Sequence, residues 1–136
     1  MANERPATLA FTKLVVDDVD AMADYYCTVF GLHRATRERF DDGVGGEPID
    51  EISLAETPGA AFGSLTLLKF EQRPAPANDE VILGFTTPDL AGVLERVKAC
   101  GGTHFGKIKE MPSHGIRVAF ARDPEGHLAE IVELRS

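Results

Sequence analysis

Apolar and polar positions change period several times along this chain. Residues 10–16 alternate, with Leu14 and Val16 on one side and Phe11, Lys13 and Val15 on the other, which is the two-residue period of a strand. Asp18 then offers an N-cap. Met22, Tyr26, Val29 and Phe30 recur at helical spacing as far as Gly31, a residue suited to closing a helix in the left-handed conformation. Strand-like segments follow at 33–40, 49–55 and 63–70, with Asp41 to Pro48 as a glycine-rich loop and Pro58-Gly59 as a turn. A second round starts with a strand at 81–87. Asp89 is its N-cap, and Leu90, Val93, Leu94 and Val97 form the apolar stripe of a second helix ending at Gly101-Gly102. Strands at 103–109, 116–122 and Leu128 to Leu134 complete it. Met111-Pro112-Ser113-His114-Gly115 joins the first two, and Asp123-Pro124-Glu125-Gly126, with the composition of a type I turn, precedes the last.

The two rounds read as one β-α-β-β-β unit present twice, about 71 residues apart, with Asp18 and Asp89 as equivalent caps. The predicted fold class is α+β: one domain over 8–136, with a first module over about 8–71, a linker over about 72–80 containing Arg73-Pro74-Ala75-Pro76, and a second module over about 81–135. One helix covers one face of each sheet. The other face must be buried by the second module or another chain, or be left as a cleft, and a concave sheet face is a natural place for a small ligand.

Composition narrows the partners. The formal net charge of −8 argues against nucleic acid, which requires a basic face, and suits a cationic or neutral ligand. No apolar stretch approaches the roughly 20 residues that span a bilayer, so no membrane partner is expected. The N-terminal Met1-Ala2-Asn3-Glu4-Arg5-Pro6 lacks the basic-then-apolar plan of a signal peptide. The expectation is a cytoplasmic protein. Cys27 and Cys100 form no Cys-x-x-Cys pair and fall in predicted helices, as reduced, partly buried thiols. His33, His104, His114 and His127 share no ligand-like spacing, and surface-loop or edge positions are expected for them. Tyr25 and Tyr26 should pack in the core with hydroxyls at the rim. Asp42-Gly43-Val44-Gly45-Gly46 is not a phosphate loop, since no Lys-Ser/Thr and no helix pattern follow it.

Two stretches resemble a known family. Val16-x-Asp18-Val19, Tyr25-Tyr26 and Val29-Phe30-Gly31-Leu32 resemble the opening of the vicinal oxygen chelate superfamily, which includes glyoxalase I, extradiol dioxygenases, and fosfomycin- and bleomycin-resistance proteins. Phe120-x-x-Asp123-Pro124-Glu125-Gly126-His127-x-x-Glu130-Ile131 resembles its closing F-x-D-P-D-G-N-x-x-E-L pattern. The resemblance implies a divalent ion held by two first-strand and two last-strand side chains. Carried onto this chain, those positions are Phe11, Ile82, Thr66 and Glu130. Only Glu130 is a good ligand, so the resemblance with these departures implies no metal and no other cofactor.

Strand alternation places Phe11 and Lys13, Thr66 and Leu68, Ile82 and Gly84, and Leu128 and Glu130 on the expected pocket face. His114 joins them because the corresponding loop borders the pocket in the resembled family. Lys13, Thr66 and Glu130 are the polar points, with Lys13 or a ligand cation as a partner for Glu130. The expected function is binding or sequestering a largely apolar small molecule, by a homodimer. The alternative is a glyoxalase-like lyase or a dioxygenase, metal-dependent or using Glu130 as the catalytic base.

Overall fold

The computed structural model describes residues 6, 10–60, 63–77 and 81–134. The N-terminal segment read for a signal peptide lies outside the described residues, apart from Pro6, as does the end of the linker. Each module starts with a short strand and a capped helix. Strand β1 (Thr12–Val15) leads to helix α1 (Val19–Phe30). Asp18 accepts a hydrogen bond from the Ala21 amide at 3.0 Å, and Gly31 ends the helix at φ 74°, where a side chain would be strained. In the second module β5 (Ile82–Thr87) leads to α2 (Leu90–Ala99), with the Asp89 side chain accepting from the Gly92 amide at 3.1 Å. Cys100, expected inside this helix, forms its C-cap instead.

The remaining strands are β2 (His33–Val44), β3 (Glu47–Ala55), β4 (Leu65–Phe70), β6 (Thr103–Met111), β7 (Ile116–Arg122) and β8 (Leu128–Leu134), with a 3₁₀ turn at Pro112–His114 between β6 and β7. The glycine-rich loop expected at 41–48 is instead a hairpin. Gly45 and Gly46 both take positive φ, 57° and 83°, and form a two-residue turn that lets β2 and β3 run almost to each other. A glycine pair between strands is the signal for such a turn.

The strands form two four-stranded sheets, in the orders β1-β4-β3-β2 and β5-β8-β7-β6. In each, the first and last strands of the module pair in parallel. Lys13 lies opposite Thr66, and Gly84 opposite Glu130, so the registers make Thr66 and Glu130 equivalent positions.

Both helices and the inner face of both sheets contribute to one apolar core. Leu14, Val16, Ile52, Leu54, Leu65 and Leu67 from the first sheet pack with Ala119, Ala121 and Ile131 from the second, around Met22, Tyr26, Val93 and Val97 of the helices. Across the boundary between the modules, the rings of Phe30 and Phe85 stack with centroids 3.7 Å apart and planes within 9°. Each aliphatic side chain buried here contributes about 1.5–3 kcal/mol, and the modules hold one another through it. The opposite faces carry no helix. Val15, Ile49, Leu68 and Phe70 make a small separate cluster on the first, while Ile82 and Phe105 lie about half exposed on the second (52% and 51%). No helix among the described residues is long and apolar enough to cross a membrane.

Candidate functional site

Strand alternation turns Lys13, Glu51, Ser53 and Thr66 onto the helix-free face of the first sheet. The Lys13 ammonium donates to Glu51 Oε2 at 2.9 Å and lies 5.8 Å from the centre of the Phe11 ring. The Ser53 and Thr66 hydroxyls share a hydrogen bond at 2.9 Å. These residues and Gly63 border a cleft of about 100 Å³. Lys13 therefore answers Glu51 and not Glu130. Glu51 and Ser53 alternate with Ile52 and Leu54 of the core, so the same reading that selected Thr66 would have found them. Leu68 belongs to the apolar cluster beside this cleft.

On the helix-free face of the second sheet, Glu130 stands in register between Gly84 of β5 and Phe120 of β7. It is half-buried, and among the described residues nothing donates to it. A β-carbon added at Gly84 would meet nothing, so the space beside the carboxylate is open. Leu128 is buried next to it. Ile82 and Gly84 also border a cleft of about 310 Å³, but with Thr12, Ser64 and Leu65 and not with Phe11, Thr66 or Glu130. The nine expected pocket residues are thus distributed over both sheets and do not enclose one cavity. His114 is exposed on the 3₁₀ turn, with Nδ1 3.1 Å from the Ser113 hydroxyl, outside these clefts.

The positions that the resemblance assigns to a divalent ion are Phe11, Thr66, Ile82 and Glu130. Phe11 and Ile82 have no donor atom, and the Thr66 hydroxyl is engaged by Ser53. Glu130 is the one carboxylate. This donor set does not fit a divalent metal, which requires about three nitrogen, sulfur or carboxylate ligands from the protein. Among the described residues no group of three or more His, Cys, Asp or Glu side chains is placed to hold a metal.

A polar network that the sequence reading missed ties the modules together. His127, expected at the surface or an edge, is 6% exposed and Asp123 is 5% exposed. Asp123 Oδ2 accepts from the Tyr26 hydroxyl at 2.8 Å and lies 2.9 Å from His127 Nδ1. His127 Nε2 lies 3.2 Å from the Val15 carbonyl. Both ring nitrogens therefore face acceptors, which an imidazolium satisfies with two N–H donors. Burial works against that charge. The Asp123 hydrogen bond and carboxylate outweigh it and hold the imidazole above its ordinary range. Burial likewise pushes the Asp123 carboxyl up, but its bonds from His127 and Tyr26 bring it below the usual carboxylate value. Burial, then the Asp123 charge, raise both Tyr25 and Tyr26 well above the ordinary phenol value. The hydroxyl of Tyr26 is thus a structural donor at the module boundary and not a rim group. The available signal was the four-residue spacing of Asp123 and His127 across the glycine turn. Both cysteines are half-buried free thiols, and burial pushes the Cys27 thiol up, away from a reactive thiolate.

A family model described as the Glyoxalase/Bleomycin resistance protein/Dioxygenase superfamily matches residues 8–131. No curated protein matches the chain. Among solved structures, a glyoxalase family protein from Bacillus cereus is similar at a TM-score of 0.81 and 18% identity, covering 100% of this chain and 99% of that one. A genomically encoded fosfomycin resistance protein from Listeria monocytogenes is similar at a TM-score of 0.64 and 14% identity, covering 95% and 94%. A glyoxalase I mutant from Zea mays is similar at a TM-score of 0.70 and 17% identity. It matches 94% of this chain, which spans 47% of the maize protein. At these identities the likeness is one of fold.

Proposed function

The chain belongs to the Glyoxalase/Bleomycin resistance protein/Dioxygenase superfamily, and we propose that it binds a small, largely apolar organic molecule without a metal, as a homodimer. The observation that carries this reading is the donor set at Phe11, Thr66, Ile82 and Glu130, where hydrocarbon stands in two of four ligand positions. What remains on these faces is apolar surface with a few polar points, the composition of a small-molecule site.

The homodimer rests on enclosure. Ligand pockets typically measure about 300–1,000 Å³ and cover most of their ligand. The cleft at Phe11 and Thr66 is about 100 Å³, and Glu130 lies open beside Gly84. Phe11, Ile82, Phe105 and Leu134 are exposed apolar side chains that a second copy would cover.

One feature favours a second reading, as a metal-free lyase or isomerase. Among the described residues Glu130 is a carboxylate without a protein partner, on an apolar face, available to remove a proton from a bound substrate. The test for both is elemental analysis of protein purified without chelators, then a small-molecule library screened by thermal shift, with Glu130→Gln carried alongside. Metal-free protein stabilised by an organic compound is the expected result. Near-stoichiometric zinc, nickel, iron or manganese that Glu130→Ala removes would overturn it. Turnover of the hit abolished by Glu130→Gln at unchanged affinity would select the enzyme.

A further inference from the structure

The end of α1 meets the end of β5 and the body of α2 around a cleft of about 440 Å³. Its wall includes Phe30 and Phe85, the stacked pair at the module boundary. Arg96 of α2 also borders it. The guanidinium is fixed at one point, since Nε–H donates to the Val29 carbonyl at 3.2 Å. Its other N–H groups have no partner among the described residues, nor do the hydroxyls of Thr28 and Thr86 at the border. The chain has 22 acidic residues, yet among the described residues no Asp or Glu lines this cleft.

We infer that this cleft is a second binding site, for a small organic acid with a flat apolar body. The volume lies in the range of ligand pockets. An oriented arginine with unused N–H donors matches a carboxylate, to which a guanidinium donates in parallel. Two unpartnered hydroxyls supply further donors. The aromatic wall suits a ring or fused rings. The missing acidic lining removes the repulsion that an anion meets elsewhere on a chain of net charge −8. A cation is disfavoured by Arg96, and a bare inorganic anion leaves the aromatic wall uncovered. Thr28 to Gly31 come from the first module and Phe85, Arg96 and Ile131 from the second, so an occupant would bridge the two. Phe85 also lines the cleft that Ile82 and Gly84 border, but the inference does not rest on the reading proposed for the helix-free faces.

The test is titration calorimetry of the full chain with 2-naphthoate, its neutral analogue 2-naphthalenemethanol, and inorganic phosphate. The acid is expected to bind at least about tenfold more tightly than either, the usual weight of a charge-assisted hydrogen bond. Arg96→Gln should remove that advantage. Backbone NMR shifts on the wild-type protein, which need no variant to fold, should move at Thr28, Thr86 and Arg96 and stay fixed at Thr66 and Glu130. Equal binding of acid and alcohol, affinity unchanged by Arg96→Gln, shifts confined to Thr66 and Glu130, or no binding at millimolar concentration would each overturn the inference.

Discussion

The helix-free faces of the two sheets hold equivalent places in the repeat and differ in kind. On the first, polar side chains answer one another: Lys13 with Glu51, and Ser53 with Thr66. On the second, Glu130 has no partner among the described residues and stands beside Gly84, Phe120 and Leu128. The helix-facing sides remain alike. Leu67 and Ile131, adjacent to Thr66 and Glu130 in their strands, are both fully buried in the shared core. The repeat is kept where the modules pack on one another and lost on the helix-free faces. Likeness of fold therefore carries little information about chemistry here.

The comparison can be broken most forcefully from the side where the modules agree. Leu67→Ala and Ile131→Ala should each cost about 2–5 kcal/mol in denaturant unfolding, through lost burial and the cavity left behind. A cost below about 1 kcal/mol for either would show that the two inner faces are not equivalent. A smaller effect sits at the boundary between the modules. Asp123→Ala strands the Tyr26 hydroxyl and the His127 ring and should cost about 1–3 kcal/mol.

The same network sets a dependence on pH. The imidazole of His127 is raised above its ordinary value near 6.5 in the fold. Its contribution is complete below that value and is lost as pH rises through the elevated one. The carboxyl of Asp123 is depressed below its ordinary 3.8. Its contribution holds above 3.8 and fails as pH falls through the depressed value. Midpoint denaturant concentration should accordingly decline on the alkaline side of pH 6.5 in the wild type, and His127→Asn should flatten that decline. An identical slope in both would show that the ring does not carry the charge.

The smallest effects sharpen the contrast between the outer faces. Thr66→Val removes one partner of a hydroxyl pair and should cost about 1 kcal/mol. Glu130→Gln loses no partner among the described residues and should change stability by less than about 0.5 kcal/mol. Its effect should appear in ligand binding, as a loss of about 1–3 kcal/mol by calorimetry. If Glu130→Gln destabilises the free protein more than Thr66→Val does, the carboxylate is structural and the contrast fails.

The sequence made the repeat, the two capped helices and the eight strands legible, because Asp18, Asp89 and Gly31 act through local geometry. Periodicity also separated the two faces of every strand near the site. The Gly45-Gly46 hairpin was missed because a run of polar and glycine residues looks like a loop unless the turn type is considered. Pairings across strands were harder. Whether Lys13 meets Glu51 or Glu130 depends on which strands are neighbours, and periodicity does not state that. His127 was misplaced for the same reason. Its acceptors lie on Asp123, four residues away, and on Val15, at the opposite end of the chain.

The parallel pairing of the first and last strands in each module has a kinetic consequence. Thr12 must find Leu65, and Ile82 must find Leu128, before either sheet is complete. The hairpins between them, β2 with β3 and β6 with β7, close over short loops and are available early. The slow event in each half is therefore the return of its outermost strand across the whole module, where loop-closure entropy opposes a contact that is rewarded late. A chain assembled this way has two equivalent bottlenecks, and whichever half closes first presents its apolar surface as a template for the other.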